Sequence, residues 1–238
     1  VGKLCGASAL DVRPGDVLPS GPADLAVSPA MDATPPINSD GRLARRERTR
    51  QAIVAAHMAL VEEGDVSPTG ARIAARADVS VRTFWLTFED MDQLFDAVGS
   101  AVLLRMQDEH RPVPTDLPLP ERIDAYCRER ARLLELIGPF ALASARRAPF
   151  SAVLRSYERE HVQRFAAEIE ELFAAELPRD PAARLPYVQA MTVATSWASW
   201  STSRGPLGLD VAGATAVLAR TVTDVLAAAA RERGRHDP

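Results

Sequence analysis

Two groups of side chains have the types and spacing to carry chemistry. The first is cationic: Arg42, Arg45, Arg46, Arg48 and Arg50 place five guanidinium groups within nine residues, and Arg82 follows inside VSVRTFWLTF (79–88). Guanidinium groups neutralise phosphates and, held flat against a base edge, donate two parallel hydrogen bonds to guanine. The second group is Glu158 and His161, at the i, i+3 spacing with which a helix offers a carboxylate and an imidazole to a di-metal centre. Such a centre needs a second pair and further inward carboxylates, and His57, His110 and His236 supply none. There is no Ser-His-Asp set, phosphate-binding glycine loop or Cys-rich metal spacing. The residues point away from catalysis, a bound metal or a cofactor, and towards binding.

The elements that must position these arginines are legible in Thr69–Phe88 and its flanks. Ile73, Ala74 and Ala77 line one face of a short helix, and Thr69 is its N-cap. Small Ala74 allows two crossing helices to approach closely. Asp78 falls at the turn, Val79 follows it, and Ser80 caps a second helix over Val81–Thr87 whose stripe is Phe84 and Phe88. Two short helices with a sharp turn form a helix-turn-helix, whose second helix enters the DNA major groove.

Charge is distributed to match. The 238 residues carry a formal net charge of −4, divided as +3 over residues 42–88, −3 over 1–41 and −4 over 89–238. Positive charge is thus concentrated where phosphates would be met. Composition is otherwise that of a soluble globular protein, 47% hydrophobic and 25% charged. Cys5 and Cys127 are too distant in sequence and context for a disulfide framework, which fits a reducing cytoplasm. No apolar run approaches the roughly 20 residues of a membrane span, and Val1–Leu10 lacks the apolar core of a signal peptide.

In chain order, residues 1–40 are rich in Pro, Gly, Ser and Asp and are expected to be disordered. Starts at Val1 and at Met31 both fit. Arg42–Arg50 reads equally as a phosphate-reaching arm and as the solvated first turn of a helix continuing through Ile53, Ala56, Leu60 and Val61 to about Glu63, where Gly64 stops it. Glu89 and Asp90 cap a fourth helix reaching about His110 on a stripe of Leu94, Phe95, Val98, Val102 and Met106. Four prolines within Arg111–Pro120 exclude a helix and set an approximate domain boundary. Helices are then predicted over Glu121–Ile137, Phe140–Arg147, Phe150–Leu177, Ala182–Ser203 and Asp210–Arg231. Nothing alternates with period two, so the fold class is all-α.

This arrangement resembles the TetR family of bacterial one-component transcriptional regulators. The resemblance is carried by Arg50/Ile53, the EEG of Glu62–Gly64, Thr69/Ile73–Ala74, Ala77/Val79–Ser80, Thr83–Trp85, Phe88 and Leu94, in that order and spacing. It covers about a fifth of the chain. Three positions depart from the family pattern: Asp78 replaces the usual turn glycine, Trp85 a common tyrosine, and Met91 a lysine. The resemblance implies a helix-turn-helix DNA-binding domain over 41–110, after an extension over 1–40, and a helical ligand-binding and dimerisation domain over 111–238. It further implies a cytoplasmic, nucleoid-associated homodimer that reads a palindromic double-stranded DNA operator, is free of membrane, and is released as a repressor by a small, largely apolar effector.

Residue by residue, Val81, Arg82 and Leu86 are expected at base edges. Thr69, Ser80, Thr83 and Trp85 are expected at phosphates, with Arg42, Arg45 and Arg46 on the arm. Tyr126, Arg130, Phe140, Ser144, Tyr157, His161, Phe165 and Trp197 are the candidate effector contacts, with Cys127 as a further polar point. Ala190, Ala194 and Ala198, with Val211, Ala214, Leu218, Val222 and Val225, are the expected dimer faces. The competing readings are an all-α ligand carrier and a metal-dependent helical-bundle enzyme, neither binding DNA.

Overall fold

The computed structural model describes residues 39–236. The calls on residues 1–38, including the disordered extension, Cys5 and the choice between Val1 and Met31, lie outside them. Among the described residues there are nine α-helices and no strand: α1 Ser39–Glu62, α2 Gly70–Arg76, α3 Val81–Thr87, α4 Met91–Glu109, α5 Leu119–Arg147, α6 Ala152–Leu172, α7 Pro181–Ala194, α8 Trp197–Arg204 and α9 Val211–His236. A 3-10 turn, Ala148–Phe150, joins α5 to α6.

Two apolar clusters organise them. Ile53, Ala56 and Leu60 of α1, Ile73 and Ala74 of α2, Phe84 and Phe88 at α3, and Leu94 and Val98 of α4 form the first. The second gathers Met106 with α5, α6, α7, α8 and α9. Val102 packs against both, so α4 is common to the two.

The turns of the first cluster follow from local chemistry. After α1 the chain turns through Gly64 at φ 96°, with the Asp65 N–H bonded to Leu60 O and the Gly64 N–H to Val61 O. The same pair of bonds recurs after α2, where Val79 donates to Ala74 O and Asp78 to Ala75 O. Both are Schellman closures, which need a left-handed residue at the second position past the helix. Asp78 holds it at φ 55°. Asp tolerates that region better than most side chains, so the turn forms without glycine. The adjoining EEG has parallel roles: Glu62 pairs with Arg105 of α4, Glu63 with Arg76 of α2, and Gly64 ends the helix.

The structure departs from expectation at several points, most of them beyond α4. The first helix begins at Ser39, so Arg42–Arg50 is helical from its start and residues 41–48 are exposed. The fifth helix begins at Leu119, inside the proline stretch, because Pro120 sits at N2, where no N–H is needed. It also runs unbroken through Gly138-Pro139 to Arg147. Proline there costs roughly 3 kcal/mol locally, but buried Ile137 and Phe140 flank it, and a Cβ on Gly138 would stand 3.1 Å from the Trp197 ring. Tertiary packing outweighs the local cost. In α6, Ser151 is the N-cap and the helix stops at Leu172, five residues before the expected end.

The expected helix over Ala182–Ser203 is instead α7 and α8. Buried Arg130 donates from Nε to the Thr195 carbonyl at 2.8 Å, taking the acceptor that the next helical turn would use, and Ser196 Oγ caps the Ser199 N–H. The expected ridge of Ala190, Ala194 and Ala198 is therefore split between two helices. Most of the expected outer face of α9 also turns inward: Ala214, Leu218 and Val222, with Leu226 and Ala229, are buried in the chain's own core, Val225 is partly buried against it, and Val211 stays exposed. A period-3.6 stripe reports that a face is buried, not against which partner. Among the described residues α9 alone is long and apolar enough, by length and composition, to cross a membrane. Its alanines supply that hydropathy in the absence of an uninterrupted run of large apolar residues.

Candidate functional site

On the first cluster, α3 is anchored by Phe84, fully buried, with Trp85 packed edge-on at 4.7 Å between ring centroids. The next turn faces outward. Val81, Arg82, Trp85 and Leu86 are exposed, Leu86 to 70%. Among the described residues Arg82 has no hydrogen bond or ion pair, whereas Arg72 and Arg76 on α2 are paired with Asp65 at 2.8 Å and Glu63 at 3.2 Å. Thr69 Oγ1 accepts from the Arg72 N–H at 3.3 Å and Ser80 Oγ from the Thr83 N–H at 3.0 Å, so both expected N-caps are in place. Ser80 and Thr83 also join hydroxyl to hydroxyl at 2.8 Å. Arg42, Arg45 and Arg46 are exposed on the first turns of α1, and Arg50 lies over the Phe88 ring at 4.9 Å. Gly70 was not among the expected residues. A Cβ there would stand 3.0 Å from both Phe84 and Trp85, so the start of α2 approaches the α3 aromatics closely.

The second candidate site is a cavity of about 360 Å³. Seven of the eight expected effector contacts line it: Arg130, Phe140, Ser144, Tyr157, His161, Phe165 and Trp197. Tyr126 does not. It is buried edge-on against Phe173, with its hydroxyl near Thr195 Oγ1. Cys127 is also outside the lining, and burial pushes its thiol up to about 12. In the cavity wall Arg130 stacks on the Phe165 ring with Cζ 3.3 Å from its centroid, and the His161 ring meets the same phenyl at 4.2 Å. Arg130 Nη1 and His161 Nε2 are buried without a hydrogen-bond partner. Burial first, then the charges of Arg130 and Arg164, brings His161 down to about 4, so it is neutral at pH 7. His57 is likewise brought down to about 4 by burial, which outweighs the raising effect of Asp65.

Tyr157 spans the cavity wall. Its hydroxyl bonds to Asp96 O at 2.9 Å, Asp96 Oδ1 at 3.0 Å and Ser100 Oγ at 2.9 Å. A Cβ on Gly99 would stand 2.8 Å from its ring. The wall also includes His57 and Val61 of α1 and Val66, Ser67 and Pro68, the residues immediately before the Thr69 cap. Arg147, at the end of α5, donates to Ser67 Oγ from Nε and Nη2 at 3.1 and 2.6 Å. Among the described residues no cluster of three or more His, Cys, Asp or Glu is arranged to hold a metal ion. Glu158 lines the cavity with His161 but is exposed.

No family model matches the chain, and no curated protein does. Solved structures match. A TetR-family transcriptional regulator from Streptomyces coelicolor is 15% identical, with a TM-score of 0.61 over 81% of this chain and 90% of its own. A transcriptional regulator from Rhodococcus sp. Rha1 is 16% identical, with a TM-score of 0.58 over 78% of this chain and 97% of its own. A TetR transcription regulator from Haloarcula marismortui is 18% identical, with a TM-score of 0.57 over 79% and 98%. The fold is that of TetR-type regulators.

Within the TetR-type fold, what sequence reasoning missed lies where α1 and its following loop meet the cavity. His57, Val61 and Val66–Pro68 carry no pattern beyond helix stripe and turn, and their place in the cavity wall depends on α5 and α6 folding back over them. Gly70 alone carried a local signal: a glycine at the first position of a helix has a reason when an aromatic ring lies against it.

Proposed function

We propose that this chain is a ligand-responsive DNA-binding transcriptional regulator. In this reading residues 41–110 bind DNA, residues 111–238 bind ligand and dimerise, and a homodimer represses from a palindromic double-stranded operator in the cytoplasm. The observation that carries the reading is the outward turn of α3, where exposed Val81, Trp85 and Leu86 stand with the unpaired guanidinium of Arg82 on a helix capped by Ser80. A soluble surface has no folding reason to collect them there. Arg82 is the candidate for guanine, while Thr69, Ser80, Thr83, Trp85, Arg42, Arg45 and Arg46 serve the phosphates. A single helix-turn-helix binds weakly, which is the physical reason for two half-sites and a two-fold dimer.

The effector in this reading is a small, largely apolar molecule in the cavity. Its volume lies within the roughly 300–1,000 Å³ of ligand pockets. Because the wall includes Val66–Pro68 and His57, occupancy bears directly on the loop that leads into α2, alongside any movement of α4. Selection from a random DNA library by the full chain, with and without candidate small molecules, tests the proposal. A regulator enriches a palindrome with two spaced half-sites and loses it with its effector. Enrichment of no sequence favours the carrier reading and removes this one.

A further inference from the structure

The cavity is not uniformly apolar. Among its lining residues are three arginines, Arg130, Arg147 and Arg164, against one carboxylate, Glu158. The two lining histidines, His57 and His161, are neutral at pH 7. Arg130 and Arg147 stand seventeen residues apart on α5, about 25 Å along a helix rising 1.5 Å per residue. Arg147 is engaged by Ser67. Arg130 is 3% exposed and has its Nε committed to the Thr195 carbonyl, its face to Phe165, and its Nη1 to nothing. Among the described residues no carboxylate lies within ion-pair distance of it. Glu168 is a carboxyl whose charge it feels, and burial raises that carboxyl above its ordinary range while the charges of His110 and Arg130 lower it. A buried charged donor without an acceptor is costly to keep. Beside it His161 Nε2 also lacks a partner.

We propose that the cavity takes an amphipathic monocarboxylate, its carboxylate on the Arg130 guanidinium and His161 Nε2, its apolar body against Ile137, Phe140 and Trp197. One carboxylate matches the planar donor fork and the single neutral imidazole; Arg164, whose charge also reaches His161, lines the cavity as an exposed side chain. The inference rests on the reading of the cavity as the effector site and gives the largely apolar effector an anionic head.

The test is calorimetric binding of decanoate and of 1-decanol to the full chain. Decanoate is expected to bind at least tenfold more tightly. That preference is expected to vanish in Arg130→Met and to survive in part in Arg130→Lys, which keeps the charge and loses the fork. Circular dichroism reports whether Arg130→Met folds; if it does not, His161→Phe, expected to narrow the preference, replaces it. Equal or tighter binding of decanol, no binding of either probe, or a full preference in the folded variant overturns the assignment. Its failure is separable from that of the regulator: a palindrome enriched by a protein indifferent to decanoate leaves the regulator and removes the carboxylate. A decanoate preference without DNA enrichment does the reverse.

Discussion

The exposed turn of α3 and the cavity behind α4 are built on opposite principles. Around α2 and α3 the backbone is satisfied by neighbours in sequence, and the Arg82 side chain is left to water: Ser80 caps Thr83, Thr69 caps Arg72, and Asp78 closes its own turn. In the cavity wall the polar side chains depend on groups far away in the chain, and only some of them, Arg130 above all, are buried. Arg130 reaches Thr195, Tyr157 reaches Asp96, and Arg147 reaches Ser67. Arg130 Nη1, His161 Nε2 and His57 Nδ1 reach nothing. A surface that reads a polyanion needs rigid presentation, whereas a cavity that senses a molecule needs unfinished polar business. The contrast teaches where each kind of function can be sought.

The comparison breaks most visibly if the aromatic anchor of α3 is removed. Phe84→Ala should cost about 3–5 kcal/mol, as for other buried aromatics, and lower the urea midpoint. A loss under 1 kcal/mol would mean that α3 is held by its caps and not by the core. Acid should act on the other region. His57 and His161 are held near 4 when folded and titrate near 6.5 when unfolded. The unfolded chain therefore binds more protons between those values, and stability, complete above about pH 6.5, falls as the pH drops towards 4. The fall is on the order of 3 kcal/mol for His57. Thermal unfolding at pH 7.5 and 5.0 should show it, and the His57→Gln/His161→Gln double variant should show less. Thr69–Phe88 contains no histidine, so an equal acid response in the double variant would break the contrast.

Smaller effects sharpen it. Arg82→Ala should relax selectivity at one base position per half-site by about 1–3 kcal/mol, while Arg46→Ala weakens all sequences alike. Binding to a panel of single-base operator variants separates the two, and an unchanged base preference for Arg82→Ala would remove Arg82 from the base edge. Gly99→Ala is the smallest. A helix interior gains up to about 1 kcal/mol from alanine, but the new methyl would meet a Tyr157 ring held by three hydrogen bonds. Overpacking costs about 1–3 kcal/mol, leaving a net loss of about 1 kcal/mol. A raised melting temperature would show that Tyr157 yields and that the cavity wall is softer than the caps of α3.

The sequence by itself determined what depends on near neighbours. Caps at Thr69, Ser80 and Asp90, the left-handed turn at Asp78, the stop at Gly64 and the span Val81–Thr87 were all readable, because each is a bargain among residues within one helical turn. The aromatic and polar residues that meet around the cavity could be named from their stripes, though not told apart from Tyr126, which the stripe places equally well and the packing puts elsewhere. Tertiary structure alone decided the rest. It carried α5 through Pro139 because Trp197 lies on Gly138. It broke the penultimate helix at Thr195 because Arg130 takes that carbonyl, and it turned Ala214, Leu218 and Val222 inward. In each case a contact between residues far apart in sequence outweighed a local preference worth only a few kcal/mol, and such contacts leave no local pattern to read.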